Sequence, residues 1–342
     1  MDPVTHTLLG TAAAEAAGAA GLYEGGYVAA AIGAALLPDS DFVVRYLGPT
    51  ATIRFHHGPT HSFVGGAVLS LLWASAVFLV PRLVIPGWSP PFFAVAAFSY
   101  LGFLSHICLD IILHNNGTQL FWPFSRRWVR FPLVIGINPL TASARCGERS
   151  LFVCGLCQLN GLVHNPVFYI LLAGNVLMLA FWPLRTSVGA VTVLGLIIYV
   201  AFRLIRRVGA LKLAKNMFVS ADAIEVFPAG YGSRRWLAVA SRGNDYTVAS
   251  LDLTRGAAGT PAVFRYDASP EIAAVIENKY VKAVLNNYIV AYPFVKDRRP
   301  SATEIWCRDL AYFFTPDVDL HLAKIKVSDS GEVSSVDFQE RW

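Results

Sequence analysis

Histidine and aspartate recur in this chain at the ends of apolar segments: His6, Asp39 with Asp41, His56 with His57, His61, and His106 with Asp110. Imidazoles and carboxylates are costly in or beside a bilayer, on the order of 3 kcal/mol for an aspartate at mid-membrane, so their gathering at segment ends points to a built site. His106 and Asp110 stand four apart, which puts both side chains on one face of a helix. In the run His56-His57-Gly58-Pro59-Thr60-His61, Pro59 is placed to open the following helix, with His61 in its first turn and His56 or His57 folding back from the loop. Asp39 and Asp41 follow Pro38, which stops the preceding helix, and alternate carboxylates in an extended turn can face one ion. Neutral imidazoles mixed with hard carboxylates suit Zn²⁺, Mn²⁺ or Fe²⁺. The candidates outnumber the four donors of one tetrahedral zinc, which points to two or more ions. Such a cluster supplies hydroxide at neutral pH and clamps a phosphoryl or acyl oxygen, which is hydrolase chemistry.

The elements that must position these residues are membrane helices. Of 342 residues, 55% are hydrophobic and only 15% charged, too apolar for a soluble enzyme of this length. Clear spans are predicted over Phe63 to Val80, Phe92 to Leu113, Pro166 to Leu184 and Val188 to Ile205, each near the roughly 20 residues that crossing requires. Two N-terminal segments, Val4 to Ala20 with Glu15 inside it and the short Val28 to Leu37, are weaker helical candidates. If they form an up-and-down pair, as Phe63 and Phe92 open the next pair, every candidate ligand lies on one face of the membrane. The basic clusters Arg126, Arg127, Arg130, Arg145, Arg149 and Arg203, Arg206, Arg207, Lys212, Lys215 flank spans, and the positive-inside rule makes that face cytoplasmic. The net charge of +5 is thereby read as topology, and no direct nucleic-acid binding is expected.

The fold class expected is an α-helical polytopic membrane domain over residues 1–207, followed by a small cytoplasmic α+β domain over 208–342. In the second region Trp236 to Ser241 and Tyr246 to Leu253 read as a β-hairpin, as do Leu322 to Val327 and Val333 to Phe338, with a helix over Glu271 to Leu285 between them. The connector from Asn115 to His164, with Trp122, Phe124, Trp128 and Phe131 among its arginines, suits the headgroup region. No signal peptide is expected, since the first basic residue is Arg45. Five scattered cysteines argue against a disulfide framework. Cys154 and Cys157 with Cys146 and His164 could hold a structural zinc, but packing is the better reading; His114 reads as an interfacial hydrogen-bonder, and His321 near Asp317 and Asp319 as a surface cluster.

Five fragments, Met1-Asp-Pro-Val-Thr-His6, Leu37-Pro-Asp39-Ser-Asp41, His56-His-Gly-Pro-Thr-His61-Ser, Tyr100-Leu-Gly-Phe-Leu-Ser-His106-Ile-Cys-Leu-Asp110 and Gly117-Thr-Gln-Leu-Phe-Trp-Pro-Phe-Ser125, resemble in order and spacing the YdjM/YbcI-type inner-membrane proteins. That family is described as membrane-bound metal-dependent hydrolases, sometimes as LexA-binding. The resemblance covers roughly residues 1–135 and implies a bacterial inner-membrane location. It marks His6, Asp39, Asp41, His56, His61, His106 and Asp110 as metal ligands, and suggests distant kinship with zinc-dependent phospholipase C. The chain departs from the family at His57, where Arg is usual, at Leu113, where Thr is usual, and by one extra residue before Gly117. His57 is then an added ligand or a phosphate contact.

The leading expectation is a hydrolase acting at the cytoplasmic membrane surface on a phosphoester or ester of a lipid-like substrate. Zinc is the first-choice metal, with Mn or Fe as alternatives, and Asp41 is the candidate proton acceptor. The competing expectation is a non-enzymatic scaffold or regulator whose metal is structural and whose C-terminal domain binds a protein partner. A transporter ranks last, because the spans from Phe63, Pro166 and Val188 carry almost no polar groups through their depth.

Overall fold

The computed structural model describes residues 3–19, 26–47, 51, 55–113, 117–134, 166–229, 234–278, 281, 282, 285, 290–299, 302–312, 323–328 and 333–338. The chain forms two compact units, Met1–Phe131 with Leu159–Phe202, and Pro132–Gln158 with Arg203–Trp342.

The first unit is helical: α1 (Pro3–Gly18), α2 (Tyr27–Leu36), α3 (Phe63–Leu79), α4 (Phe92–Leu113), α5 (Pro166–Ala180) and the first half of α6 (Arg185–Met217). Among the described residues, four stretches are long and apolar enough to cross a membrane: Tyr27–Val44, Phe63–Leu83, Phe92–Ile112 and Trp182–Met217. The first of these, and the helix α5 that is not among them, differ from expectation. The short α2 gains length from the 3-10 turn Pro38–Leu47 that continues it, since Leu37 keeps helical backbone angles, φ −59° and ψ −37°, although a proline follows it. Conversely α5 has 15 residues, about 22 Å, because Phe181 leaves the helical region at φ −115° and ψ 56° and Pro183 sits in the turn Trp182–Leu184. Side chains such as Leu72, Leu79, Val191 and Ile198 point outward uncovered, as lipid-facing positions do.

Inside, the helices meet through small residues. Ala12, Ala14, Ala30, Ala31, Ala34 and Ala35 are buried, and α4 packs on α1, α2 and α3. Gly102 of α4 lies so close to α2 that a Cβ there would stand 2.0 Å from the carbonyl oxygen of Ala31. That approach matters one turn on, where His106 meets Ala35. Glu15, which weakened the reading of α1, is buried 3.5 Å from the Nε of Arg185.

The second unit carries two antiparallel sheets. The first has five strands, β1 (Ala223–Pro228), β2 (Arg235–Arg242), β3 (Asp245–Asp252), β4 (Ala257–Ala258) and β5 (Ala262–Phe264), in the order β1-β2-β3-β4 with β5 also on β3. The hairpin β2–β3 pairs Arg242 with Asp245 across Gly243-Asn244; Gly243 at φ +58° supplies the left-handed residue that such a two-residue turn needs. Strand β2 is buried from Trp236 to Ala240 because both faces are covered. One meets Ala210 and Ala214 of α6, the other Val290, Leu310 and Ala311.

The second sheet is a meander, β6 (Ala291–Arg299), β7 (Ala302–Asp309), β8 (Ala323–Ser328) and β9 (Val333–Phe338). Helix α7 (Pro270–Glu277) packs Ile272 and Val275 on Ile305, Cys307, Ile325 and Val327. It is shorter than expected because Asn278 is extended, at ψ 127°. Helix α6 runs on through Met217, and Arg203, read in the sequence as one of a basic cluster flanking a span, is buried, donating to the Leu133 carbonyl at 2.8 Å, with its guanidinium 5.3 Å from the Trp236 ring. The expectations for His114, Cys146, Cys154, Cys157, His164, Asp317, Asp319 and His321 lie outside the described residues.

Candidate metal centre

Four segments deliver donors to one place in the first unit. His6 comes from the first turns of α1 and Asp39 from the turn after α2. His61 precedes α3, while His106 and Asp110 come from the last turns of α4. The local chemistry of the third segment differs from expectation. Pro59 opens a separate 3-10 turn, Pro59–His61, and Ser62, extended at ψ 157°, caps α3 by accepting from the Gly65 N–H at 2.9 Å. His61 therefore stands just outside the helix, ahead of the span.

Four donor atoms face each other at the centre: Asp39 Oδ1, His61 Nε2, His106 Nε2 and Asp110 Oδ2. His61 lies 3.2 Å from His106, 3.6 Å from Asp39 and 3.4 Å from Asp110; His106 lies 3.7 Å from Asp39 and 3.2 Å from Asp110. Four donors about 2.0–2.1 Å from a tetrahedral zinc stand about 3.3 Å apart, so the spacing fits a single cation.

The tautomers agree. His106 Nδ1 lies 2.7 Å from the Ala35 carbonyl, to which it must donate, leaving a lone pair on Nε2. His61 Nδ1 lies 3.2 Å from Asp41 Oδ2 and 3.0 Å from Thr60 Oγ1, which again turns a lone pair inward. Two imidazole lone pairs and two carboxylate oxygens thus converge in a buried place. Among the described residues neither Asp110 oxygen finds a hydrogen-bond donor, although Asp110 is fully buried. Left without a cation, such a carboxylate costs several kcal/mol. Burial disfavours a charged His61, but Asp110, Asp39 and Asp41 outweigh burial and hold its pKa well above the usual histidine value. Asp39, His61, His106 and Asp110 form a group that could hold a metal ion.

The remaining expected ligands stand around this group. His6 is fully buried, stacked on His106 with ring centroids 3.7 Å apart, and its Nε2 lies 3.6 Å from Asp110 Oδ1 and 4.0 Å from Asp39 Oδ2. Asp41 is engaged on both oxygens. Oδ1 lies 2.7 Å from His56 Nδ1, and Oδ2 accepts from the His57 N–H and the Thr60 hydroxyl, each at 2.9 Å, as well as facing His61. His56 is 26% exposed and bound to Asp41, so the structure brings these two together one layer out from the four donors. His57 adopts φ +56°, which turns its amide onto Asp41 and leaves its Nδ1 3.4 Å from Asp110 Oδ2.

Sequence reasoning missed the support from the connector. The Gln119 N–H donates to the His57 carbonyl at 3.0 Å, and the Leu120 carbonyl accepts from the Phe63 N–H at 3.0 Å. Gly117 makes this possible: at φ +73°, with a Cβ-to-Val129 oxygen distance of 2.4 Å, only glycine fits, and the signal was the Gly-Thr-Gln run itself.

Among known proteins, the curated match is an uncharacterized protein of Bacillus subtilis (strain 168), YfhP, 25% identical over 161 residues, or 45% of this chain and 47% of that protein. The chain thus spans about half the length of the curated relative it matches. No solved structure gives a significant match. Residues 1–210, which contain every donor described above, match the family described as YdjM inner membrane protein, and the chain belongs to that family.

Proposed function

We propose that the chain is a membrane-bound, metal-dependent hydrolase acting at the cytoplasmic face on a phosphoester or ester of a lipid-like substrate. The observation that carries this reading is the convergence of four donors, three of them fully buried and the two imidazole lone pairs turned inward, from the turn after α2, the turn before α3 and the end of α4. A divalent zinc, manganese or iron ion held in this cluster with one coordination position open would polarise an ester oxygen and activate water. The chain's own part is to fix that ion and to move a proton. Asp41 has no free oxygen, so the proton acceptor is the Asp41–His56 pair, with the partly exposed imidazole as the group that meets solvent.

The surroundings favour a lipid-like substrate. Phe42, Tyr46 and Phe55 stand exposed beside the donor residues in sequence, and Phe121 and Phe124 follow Gln119, with Arg126 and Arg127 exposed next to them. An apolar rim edged by arginine suits the boundary where acyl chains meet phosphate. The basic residues at the end of α6 favour a cytoplasmic C-terminal unit, which we assign to a protein partner rather than to nucleic acid.

A second reading, a scaffold with a structural metal, is favoured by one feature: four protein donors fill a tetrahedral shell. The full-length protein in detergent, loaded with zinc, manganese or iron, is assayed against phosphoester and ester lipid analogues beside His61→Ala, Asp110→Ala and His56→Ala. Turnover is expected in wild type alone, with metal retained by His56→Ala and lost from the other two. Bound metal without turnover on any analogue would favour the scaffold.

A further inference from the structure

The two carboxylates of the centre each have a second oxygen, and both second oxygens lie within 4.0 Å of His6 Nε2. Asp39 turns Oδ1 to His61 and His106 and Oδ2 to His6; Asp110 turns Oδ2 to the first pair and Oδ1 to His6. His6 is fully buried, and among the described residues neither of its ring nitrogens has a hydrogen-bond partner, although buried imidazoles ordinarily have at least one. Asp39 Oδ2 and Asp110 Oδ1 likewise lack one. Three unsatisfied donor atoms therefore meet at His6, none of them one of the four atoms of the first group.

We propose that a second cation sits between His6 Nε2, Asp39 Oδ2 and Asp110 Oδ1, bridged to the first through both aspartates. The proposal rests on the metal-dependent reading above and assigns different duties to the two positions. The first is closed, because four protein atoms complete its shell. The second has three protein donors and so leaves a coordination position open, the arrangement that catalytic rather than structural sites share. Substrate is expected at the His6 position, and the four-donor ion fixes the carboxylates that present it. The donor spacings here reach 4.0 Å, against at most 3.7 Å in the first group, so the second ion is the weaker one. Two metals sharing carboxylates are the usual clamp for the attacking and leaving oxygens of a phosphoester.

The test uses full-length protein in detergent, stripped with chelator and reloaded with Mn²⁺ or Zn²⁺, as wild type, His6→Ala and His6→Gln. Elemental analysis is expected to give two ions per wild-type chain and one per variant chain, the retained ion showing that the variant is folded. With manganese, wild type is expected to give the electron paramagnetic resonance of an exchange-coupled pair, and the variants that of an isolated ion. One ion in wild type, unchanged by either substitution, would leave His6 as a packed histidine and overturn the pair. Two ions retained in the variants would do the same, as would loss of every ion from variants that still elute as wild type. No metal in wild type would sink both this proposal and the hydrolase reading. Two ions, one of them dependent on His6, without turnover on any lipid analogue would keep the pair and overturn only the hydrolase.

Discussion

His61 has two requirements to meet with one ring. Its Nε2 must be free to face the centre, and its Nδ1 must be held, which Asp41 and Thr60 accomplish. Asp41→Ala is expected to weaken metal binding by about 10- to 100-fold without removing a donor, because the imidazole loses its orientation; competition against a chromophoric chelator measures this, and unchanged affinity would return Asp41 to a catalytic role alone. The raised pKa of His61 sets a pH dependence. A metal must displace that proton, so affinity is expected to rise about tenfold per pH unit until pH passes the folded pKa. Stability of the metal-free protein runs the other way. The charged imidazole contributes fully below the unfolded value of about 6.5, and the contribution is lost as pH rises through the folded value. Thermal melts of stripped protein across that window check the sign. At this scale the residue types were legible and their layers were not. His56 and His61 look alike in the sequence, yet one faces the centre and the other faces solvent on Asp41, because His57 at φ +56° reverses the chain between them.

Among the elements, α2 and α4 decide whether the centre forms. Gly102 faces Ala31 as His106 faces Ala35, one turn along on each helix. Gly102→Leu is expected to part the helices, destabilise the protein by about 1–3 kcal/mol or more, and empty the centre although residue 102 is no ligand; metal content beside a thermal melt would show both. Ser62→Ala is expected to cost about 1 kcal/mol by uncapping α3, and a melt unchanged within error would show that the 3-10 turn alone holds the start of the helix. Hydropathy revealed α3 and α4 because long apolar runs signal themselves. It misjudged α2 and α5, whose usable lengths depend on what Pro38 and Pro183 do to the backbone at their ends. The β2–β3 hairpin was legible for the opposite reason, since Gly243-Asn244 writes its own turn.

For the molecule as a whole, the second unit has its own cores. Trp236 is fully buried among Ala210, Ala214 and Leu251, and Trp236→Ala is expected to cost about 3–5 kcal/mol and lower the melting of the β-sheets. Metal content is expected to stay at the wild-type value, which elemental analysis of the same sample would test. Burial pushes the Cys307 thiol up to about 12, so it is expected to resist alkylation at pH 8 until that sheet unfolds. The role of Arg203 escaped the sequence, since a basic residue after a span reads as topology until its carbonyl and ring partners are known. Finally, the donors come from α1, the turn after α2, the turn before α3 and the last turns of α4. A nascent chain that has not yet delivered α4 holds only part of a shell, and no earlier intermediate can substitute for it. The order of synthesis therefore fixes the order of maturation, with insertion first and the metal last, and an occupied centre marks a chain whose first four helices have all arrived.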